Sequence, residues 1–309
     1  MTVGTDDREQ AGPDLDLRLI RYFVAVAEHG NFGRAADALL IAQPSLSRQI
    51  RRLEAQVGAR LLDRTPRGSR LTAAGTAFLP QARALLRQAR SATDAARAAA
   101  GVRTFTIGYT GGIVVSPISR HLSERFPGVA IATRRLPEEK PADALREGLV
   151  DGLVARLPLE TDGLQVTMIG ADPRALVVSV DHPLAARASV APEDFEGDPR
   201  VSCASADADW TSFWRLEDDS PVPLSRLSAD SFDDKLELVA TRQAVAVLPE
   251  HDPRLAIRPD IVAIPIDGAP PALVAAATRD DDEIAREFHA AAQTYRWTPA
   301  GAAAALPRG

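Results

Sequence analysis

A single cysteine, Cys203, stands among 309 residues, so one copy of the chain can form neither an intrachain disulfide nor a thiolate metal cluster. Histidine is sparse too: His29, His121, His182, His251 and His289 are scattered without ligand spacing, and no metal site is expected. No G-x-S-x-G, G-x-G-x-x-G or phosphate-loop pattern occurs, and no paired carboxylates have a spacing that implies catalysis. The sequence therefore argues against an enzyme and implies no cofactor. No apolar run approaches the roughly 18 residues of a membrane span, and residues 1–14 contain no apolar core of a leader, so a cytoplasmic protein without a membrane partner is expected. Lysine is nearly absent, since only Lys140 and Lys235 accompany the arginines, and alanine is abundant. That bias reads as genome composition and carries no functional weight.

What remains is ordinary globular material, 45% hydrophobic and 25% charged, long enough for about two domains. The net charge of -6 hides an asymmetry. Residues 15–103 carry 15 Arg against 6 acidic residues, whereas 104–309 carry 20 basic against 32 acidic. A basic front third on an acidic chain suggests a polyanionic partner for that third alone, because arginine-rich surfaces gain affinity by releasing condensed counterions. The alternative on charge alone is a solvated face with no ligand.

Leu19, Ile20, Phe23, Val24, Val26 and Ala27 recur at helical spacing and Gly30 follows, which predicts a first helix over 17–29. Asn31 is placed to cap a short second helix through Leu39, and Leu40 to Ala42 make a tight connection. Gln43-Pro44 then opens a third helix to about Val57, with proline in the first turn where its missing N–H costs nothing. Two short helices joined this way suggest helix-turn-helix. On the third helix Leu46, Ile50 and Leu53 share one face, leaving Ser45, Ser47, Arg48, Gln49, Arg51 and Arg52 toward solvent. Arginine can pair with guanine and glutamine with adenine, and serine or helix N-terminal N–H groups can hold phosphate. The stretch Asp63 to Leu71 reads as a hairpin or wing, with Pro66 and Gly68 supplying the turn.

The run "FVAVAEHGNFGRAADALLIAQPSLSRQIRRLEAQVGARLLDRTPRGSRLTAAG" resembles the winged helix-turn-helix of the LysR-type transcriptional regulators, a likeness that extends over residues 15–76 without an internal gap. The resemblance implies that the third helix enters the major groove of double-stranded DNA and that the wing meets phosphates or the minor groove. The contacts it suggests are Asn31, Gln43, Pro44, Ser45, Ser47, Arg48, Gln49, Arg52, Arg64, Thr65, Pro66, Arg67 and Arg70. At single positions alternatives stand: Ser45 packs or caps, and Arg51 and Arg52 pair with Glu54 or Asp37. Thr72 is placed to cap a helix running to about Ala100, whose stripe of Phe78, Leu79, Ala82, Leu85, Leu86, Ala89, Ala92 and Ala96 is read as lacking a domain to bury against. A second copy is the expected cover, and the resemblance agrees, implying a homodimer or homotetramer that reads an interrupted inverted repeat and contacts RNA polymerase.

From Thr104 strands alternate with helices, which predicts parallel sheet with crossover helices. Strands are read at 104–109, 129–134 and 152–155. A very apolar strand at 175–180 leads into a second lobe, returning strands follow at 261–266 and 273–277, and a last helix spans 283–296. The fold class is thus α/β behind an all-α-dominated winged helix-turn-helix, divided as a disordered tail (1–14), DNA-binding domain (15–73), linker helix (74–102), two-lobed effector domain (103–297) and flexible tail (298–309). The two lobes resemble the effector-binding domain of the same family, itself similar to periplasmic solute-binding proteins. Ligands of open α/β sheets sit beyond the carboxyl ends of the strands, which selects Thr110, Gly111, Gly112, Glu138, Arg156, Cys203, Ala204, Asp209 and Trp210. Arg156 is a candidate for bidentate pairing with a small-molecule carboxylate, or for an interlobe salt bridge. Its placement resembles the branch that responds to muconate-type intermediates, but Glu138 and Asp209 are acidic where a dicarboxylate would bind. Arg242 and Ala244 stand where the family commonly has glycine. Cys203 reads as a small buried hydrophobe or a reactive thiol. The reading that emerges is a regulator whose DNA binding responds to a small molecule. Its rival is a small-molecule-binding protein or α/β enzyme whose front domain only drives assembly.

Overall fold

A computed structural model describes residues 14–65, 68–101, 103–138, 140–203, 208–217, 222–229 and 231–295. Pro66, Arg67, Ala204 and both expected tails, apart from Asp14, lie outside the described residues. The chain divides into two compact units, Met1–Ala100 and Gly101–Gly309.

In the first unit, α1 (Leu17–His29) begins at Asp16, whose side chain accepts from the Arg18 N–H, and ends at Gly30 in the left-handed region, φ 59°. Asn31 caps α2 (Phe32–Ala38) by accepting from Gly33 N at 2.7 Å and Arg34 N at 3.2 Å. Proline sits in the first turn of α3 (Gln43–Val57), and Gly58 closes that helix at φ 74°. Leu46, Ile50 and Leu53 are buried with Phe23 and Leu19 in one core, as their i, i+4, i+7 spacing predicts. Glu54 turns inward and accepts from the backbone N–H groups of Leu61 and Leu62 at 2.8 and 3.2 Å, so it secures the chain leaving α3. β1 (Leu62–Thr65) and β2 (Gly68–Leu71) form the expected antiparallel hairpin. Gly68 has to be glycine, since a Cβ there would lie 2.4 Å from the Gly30 carbonyl oxygen. That carbonyl accepts from Ser69 N at 2.8 Å and ties the wing to the end of α1.

Thr72 Oγ1 accepts from Gly75 N at 2.9 Å and caps α4 (Ala73–Ala99), which contains Pro80. Here the structure corrects the sequence reading. The first half of the stripe does have a domain to bury against: Phe78, Leu79 and Leu86 pack on the first unit's core and Ala82 is fully buried. The Phe78 ring lies 5.4 Å from that of Phe23, and Arg83 pairs with Glu28 at 3.0 Å. Leu85, Ala92 and Ala96 stay exposed, so the face without a partner is confined to the distal part of the helix.

The second unit holds two sheets with flanking helices. The elements of its first lobe are β3 (Arg103–Tyr109), α5 (Ser116–Arg125), β4 (Val129–Arg135), α6 (Pro141–Arg146), β5 (Gly152–Arg156) and β6 (Gln165–Asp172). Then come β7 (Arg174–Ser179), β8 (Arg200–Cys203), α7 (Ala208–Arg215), β9 (Leu224–Ala229), α8 (Phe232–Ala240), β10 (Ala246–Pro249) and β11 (Ile261–Pro265) of the second lobe. β12 (Ala272–Thr278) and α9 (Glu283–Thr294) return to the first. The first sheet has the order β4-β3-β5-β12-β6, parallel among β3, β4 and β5 and antiparallel at β12. The second lobe departs from the parallel sheet that alternation predicts. Its central strand β7 is antiparallel to both β10 and β11, whereas β8 pairs in parallel with β9 and makes a parallel bridge from Arg200 to Val245, the residue before β10. Alternation misleads because β7 and β11 arrive from and leave for the other lobe and so are not joined by a local crossover helix. β6 and β9 escaped the sequence reading, being half-exposed edge strands without a continuous apolar run. Among the described residues no helix is long and apolar enough to cross a membrane.

Candidate functional site

The first candidate surface is the outward side of α3. Gln43, Pro44, Arg48, Arg51 and Arg52 are exposed and Ser45 and Gln49 half-buried, but Ser47 is buried beside Leu46, contrary to the solvent-facing position expected from its spacing. Gln43, Pro44, Ser47, Arg48 and Arg51 line one shallow depression. Among the described residues Arg48 and Arg52 form no ion pair, because Glu54 faces the opposite way, so the pairing of Arg52 with Glu54 or Asp37 does not occur. Arg51 donates weakly from Nε to the Ser47 carbonyl at 3.4 Å, within its own helix. Asn31 has its side-chain oxygen engaged in the α2 cap, which leaves its amide N–H groups as the part available to a partner. Arg70 is exposed on β2, and Arg64 and Thr65 belong to β1.

The second candidate is the cleft of the second unit, a small cavity of about 20 Å³ lined by Thr110, Glu138, Arg156, Trp210, Trp214 and Arg254 among others. Four of the nine residues selected from sequence meet here: Thr110, Glu138, Arg156 and Trp210. Arg156 occupies the end of β5, but its guanidinium is already engaged. It donates from Nε and Nη2 to Asp172 Oδ2 at 2.9 and 2.7 Å and from Nη1 to the Gly111 carbonyl at 2.8 Å. Asp172 is fully buried at the end of β6. Because β5 and β6 belong to one sheet, this ion pair lies within a lobe and does not bridge the two, contrary to one expectation for Arg156.

The bridge between lobes is made by a residue that sequence reading missed. Arg254, beyond β10, donates from Nε and Nη2 to the two oxygens of Asp252 at 2.9 and 2.6 Å. From Nη1 it donates across the cleft to Glu138 Oε1 at 3.0 Å, while its guanidinium carbon lies 3.3 Å from the Phe232 ring centre. Burial opposes both charges. The hydrogen bonds and charge of Arg254 nevertheless hold Asp252 below the usual carboxylate range, and those of Asp252 and Glu138 raise Arg254. The two glycines make room for this cluster: a Cβ on Gly111 would meet Arg254 at 2.4 Å and one on Gly112 would meet Asp252 at 2.5 Å. Their sequence-level role of letting a ligand near the backbone is thus taken by the protein's own side chains. Asp252-Pro253-Arg254 lies in a loop without periodicity, so no pattern in the sequence marks it.

Lys235 on α8 also lines the cleft, with Nζ 5.5 Å from the Trp210 ring and 5.9 Å from that of Phe232. Asp209 is exposed in the first turn of α7 and is not among the lining residues, and Cys203 closes β8 opposite Ala229. Arg242 does stand in for glycine, adopting φ 60° just after α8, and Ala244 is buried. Among the described residues no group of His, Cys, Asp or Glu is placed to hold a metal ion.

Comparison with known proteins fits both surfaces. Residues 17–76 match the family described as "Bacterial regulatory helix-turn-helix protein, lysR family", and residues 97–296 match "LysR substrate binding domain". The chain is 35% identical over 195 residues to the HTH-type transcriptional regulator AlsR of Bacillus subtilis (strain 168), covering 62% of this chain and 65% of that one. It is 34% identical over 174 residues to the regulator BenM of Acinetobacter baylyi, covering 55% and 57%. These alignments span less than two thirds of either relative. Among solved structures, full-length CbnR complexed with its target DNA has a TM-score of 0.50 at 25% identity, covering 91% of this chain and 99% of that one. Full-length BenM has a TM-score of 0.52 at 25% identity, covering 91% and 97%. A helix-turn-helix with its polar face outward and a two-lobed α/β unit, each matched along nearly all its length, place this chain in the family of LysR-type regulators.

Proposed function

We propose that this protein is a sequence-specific DNA-binding transcriptional regulator of the cytoplasm, whose promoter binding is modulated by a small molecule held in the cleft of its second unit. The observation that carries the reading is α3: its apolar residues are buried, and Arg48 and Arg52 are exposed with no ion pair among the described residues, on a helix framed as the second of a helix-turn-helix. A face of that kind suits the donor and acceptor pattern of the major groove. Gln43, Pro44, Ser45, Ser47, Gln49 and Asn31 complete the proposed reading surface, and Arg64, Thr65, Pro66, Arg67 and Arg70 the wing that meets the DNA backbone. The solved complex of CbnR with its target DNA supports the assignment.

The exposed distal stripe of α4 supports assembly as a homodimer or homotetramer, and a two-fold dimer reads an interrupted inverted repeat. RNA polymerase is the further partner a promoter-bound regulator would contact. In this scheme the linker is 74–102 and the effector domain 103–297, and the effector acts through a difference in affinity between two arrangements of the assembly. Cys203, Ala204 and Asp209 remain proposed effector contacts. The rival reading, a binding protein or enzyme with an assembly-only front domain, is tested by turnover in the second unit. The main test is fluorescence anisotropy with the DNA immediately upstream of the gene, against a shuffled fragment, at two salt concentrations. Selective, salt-dependent binding is expected. Absence of binding even at low salt would overturn the reading.

A further inference from the structure

We propose that Arg254 is a latch: it holds the two lobes of the second unit together without any ligand, and the cleft opens only when Arg254 releases Glu138; this rests on the reading of that cleft as the effector seat. With the lobes as they stand the cleft encloses about 20 Å³, room for roughly one water molecule. A small molecule enters only after something moves. The group placed to move is the salt bridge that crosses the cleft, Arg254 Nη1 to Glu138 Oε1 at 3.0 Å.

The hook of the latch is set by its own lobe. Asp252 takes the Nε and Nη2 edge of the guanidinium at 2.9 and 2.6 Å, and the Phe232 ring supports its face at 3.3 Å. Both belong to the second lobe, so Nη1 is already aimed when Glu138 arrives and little side-chain freedom is lost on closure. The two carboxylates differ in burial: Asp252 is 2% exposed, whereas the Glu138 side chain keeps 24% of its surface exposed. Opening therefore leaves the buried Asp252–Arg254 pair intact and returns only Glu138 to water, which makes the crossing bond reversible and open to screening by salt. Gly111 gives independent support. Its φ lies outside the left-handed region, so the backbone there does not call for glycine. A Cβ would nevertheless lie 2.4 Å from Arg254 Nη1 and 2.5 Å from Glu138 Oε1, the two atoms that form the latch. An alanine is accommodated by parting those two side-chain ends, with no backbone in its way.

The test uses the full chain carrying Trp297→Phe, so that the remaining tryptophans, Trp210 and Trp214, report from the cleft wall, and it reads acrylamide quenching of their emission. Acrylamide is neutral, so salt acts on the quenching only through the protein. Raising NaCl from about 0.05 M to about 1 M is expected to increase the quenching constant of this parent about twofold, as screening weakens the crossing bond. Glu138→Ala, which leaves Arg254 on Asp252, and Gly111→Ala, which removes no charge, are each expected to be quenched about twofold more than the parent at low salt and to lose the salt response. Circular dichroism checks that the variants fold, and the salt series on the parent decides the matter should neither do so. A parent indifferent to salt, or folded variants that are quenched like the parent or still respond to salt, would overturn the latch. Anisotropy with the upstream DNA fragment on the parent separates the two readings. Selective DNA binding without the quenching changes sinks only the latch, whereas absence of DNA binding with those changes present sinks the regulator reading and leaves the latch standing.

Discussion

Arginine serves opposite purposes in the two units. On α3, Arg48 and Arg52 are exposed and carry no ion pair among the described residues, so their charge faces outward. In the second unit Arg156 is buried against Asp172, and Arg254 is clamped between Asp252 and Glu138. The same side chain is free to serve the proposed recognition of DNA where its neighbours are apolar and face away, and is a structural clamp where a carboxylate is buried beside it. Desolvation explains the difference. A buried guanidinium is tolerable only when paired, and once paired it is a poor receptor for a ligand.

The contrast can be broken by truncation. Arg156→Ala leaves Asp172 buried and unpaired, and should cost the second unit about 3–5 kcal/mol, read from urea denaturation. The double substitution Arg156→Met with Asp172→Leu should recover most of that loss, since an apolar pair has no desolvation to offset. Arg48→Ala should behave in the reverse manner, leaving stability within about 0.5 kcal/mol while weakening binding to the native upstream fragment by roughly 1–3 kcal/mol and relaxing base preference. Equal weakening on shuffled DNA would contradict its role as a reader.

Smaller effects sharpen the picture. Asn31→Ala removes the α2 cap and should cost the first unit about 1 kcal/mol in denaturant unfolding. Arg70→Ala should weaken binding to all sequences alike and reduce the salt slope by about one phosphate contact. The last effect is confined to acid. Asp252 titrates below its ordinary value of 3.8, so the stability it confers is present above that value and is lost as pH falls further, through the folded pKa. A melting series from pH 6 down should fall off below about pH 4, and Asp252→Asn should flatten that drop.

Much of the first unit was legible because its signals are local. The spacing of Leu46, Ile50 and Leu53, the caps Asn31 and Thr72, and the stops Gly30 and Gly58 each act within a turn or two of helix, and each has the role its spacing implies. The strand and helix order of the second unit was largely readable for the same reason. Pairing across the chain was not. Glu138 and Arg254 are 116 residues apart, and nothing in either neighbourhood announces the other. Sequence alone determined which segments are helix, which face of α3 is apolar, and that arginine and glutamine would stand on its outer side, because periodicity and capping are short-range physics. Tertiary structure decided that α4 buries its first half, that β7 runs antiparallel to its neighbours, and that Arg156 and Arg254 are paired with carboxylates. Those outcomes depend on which carboxylates long-range packing brings beside each cation in low dielectric.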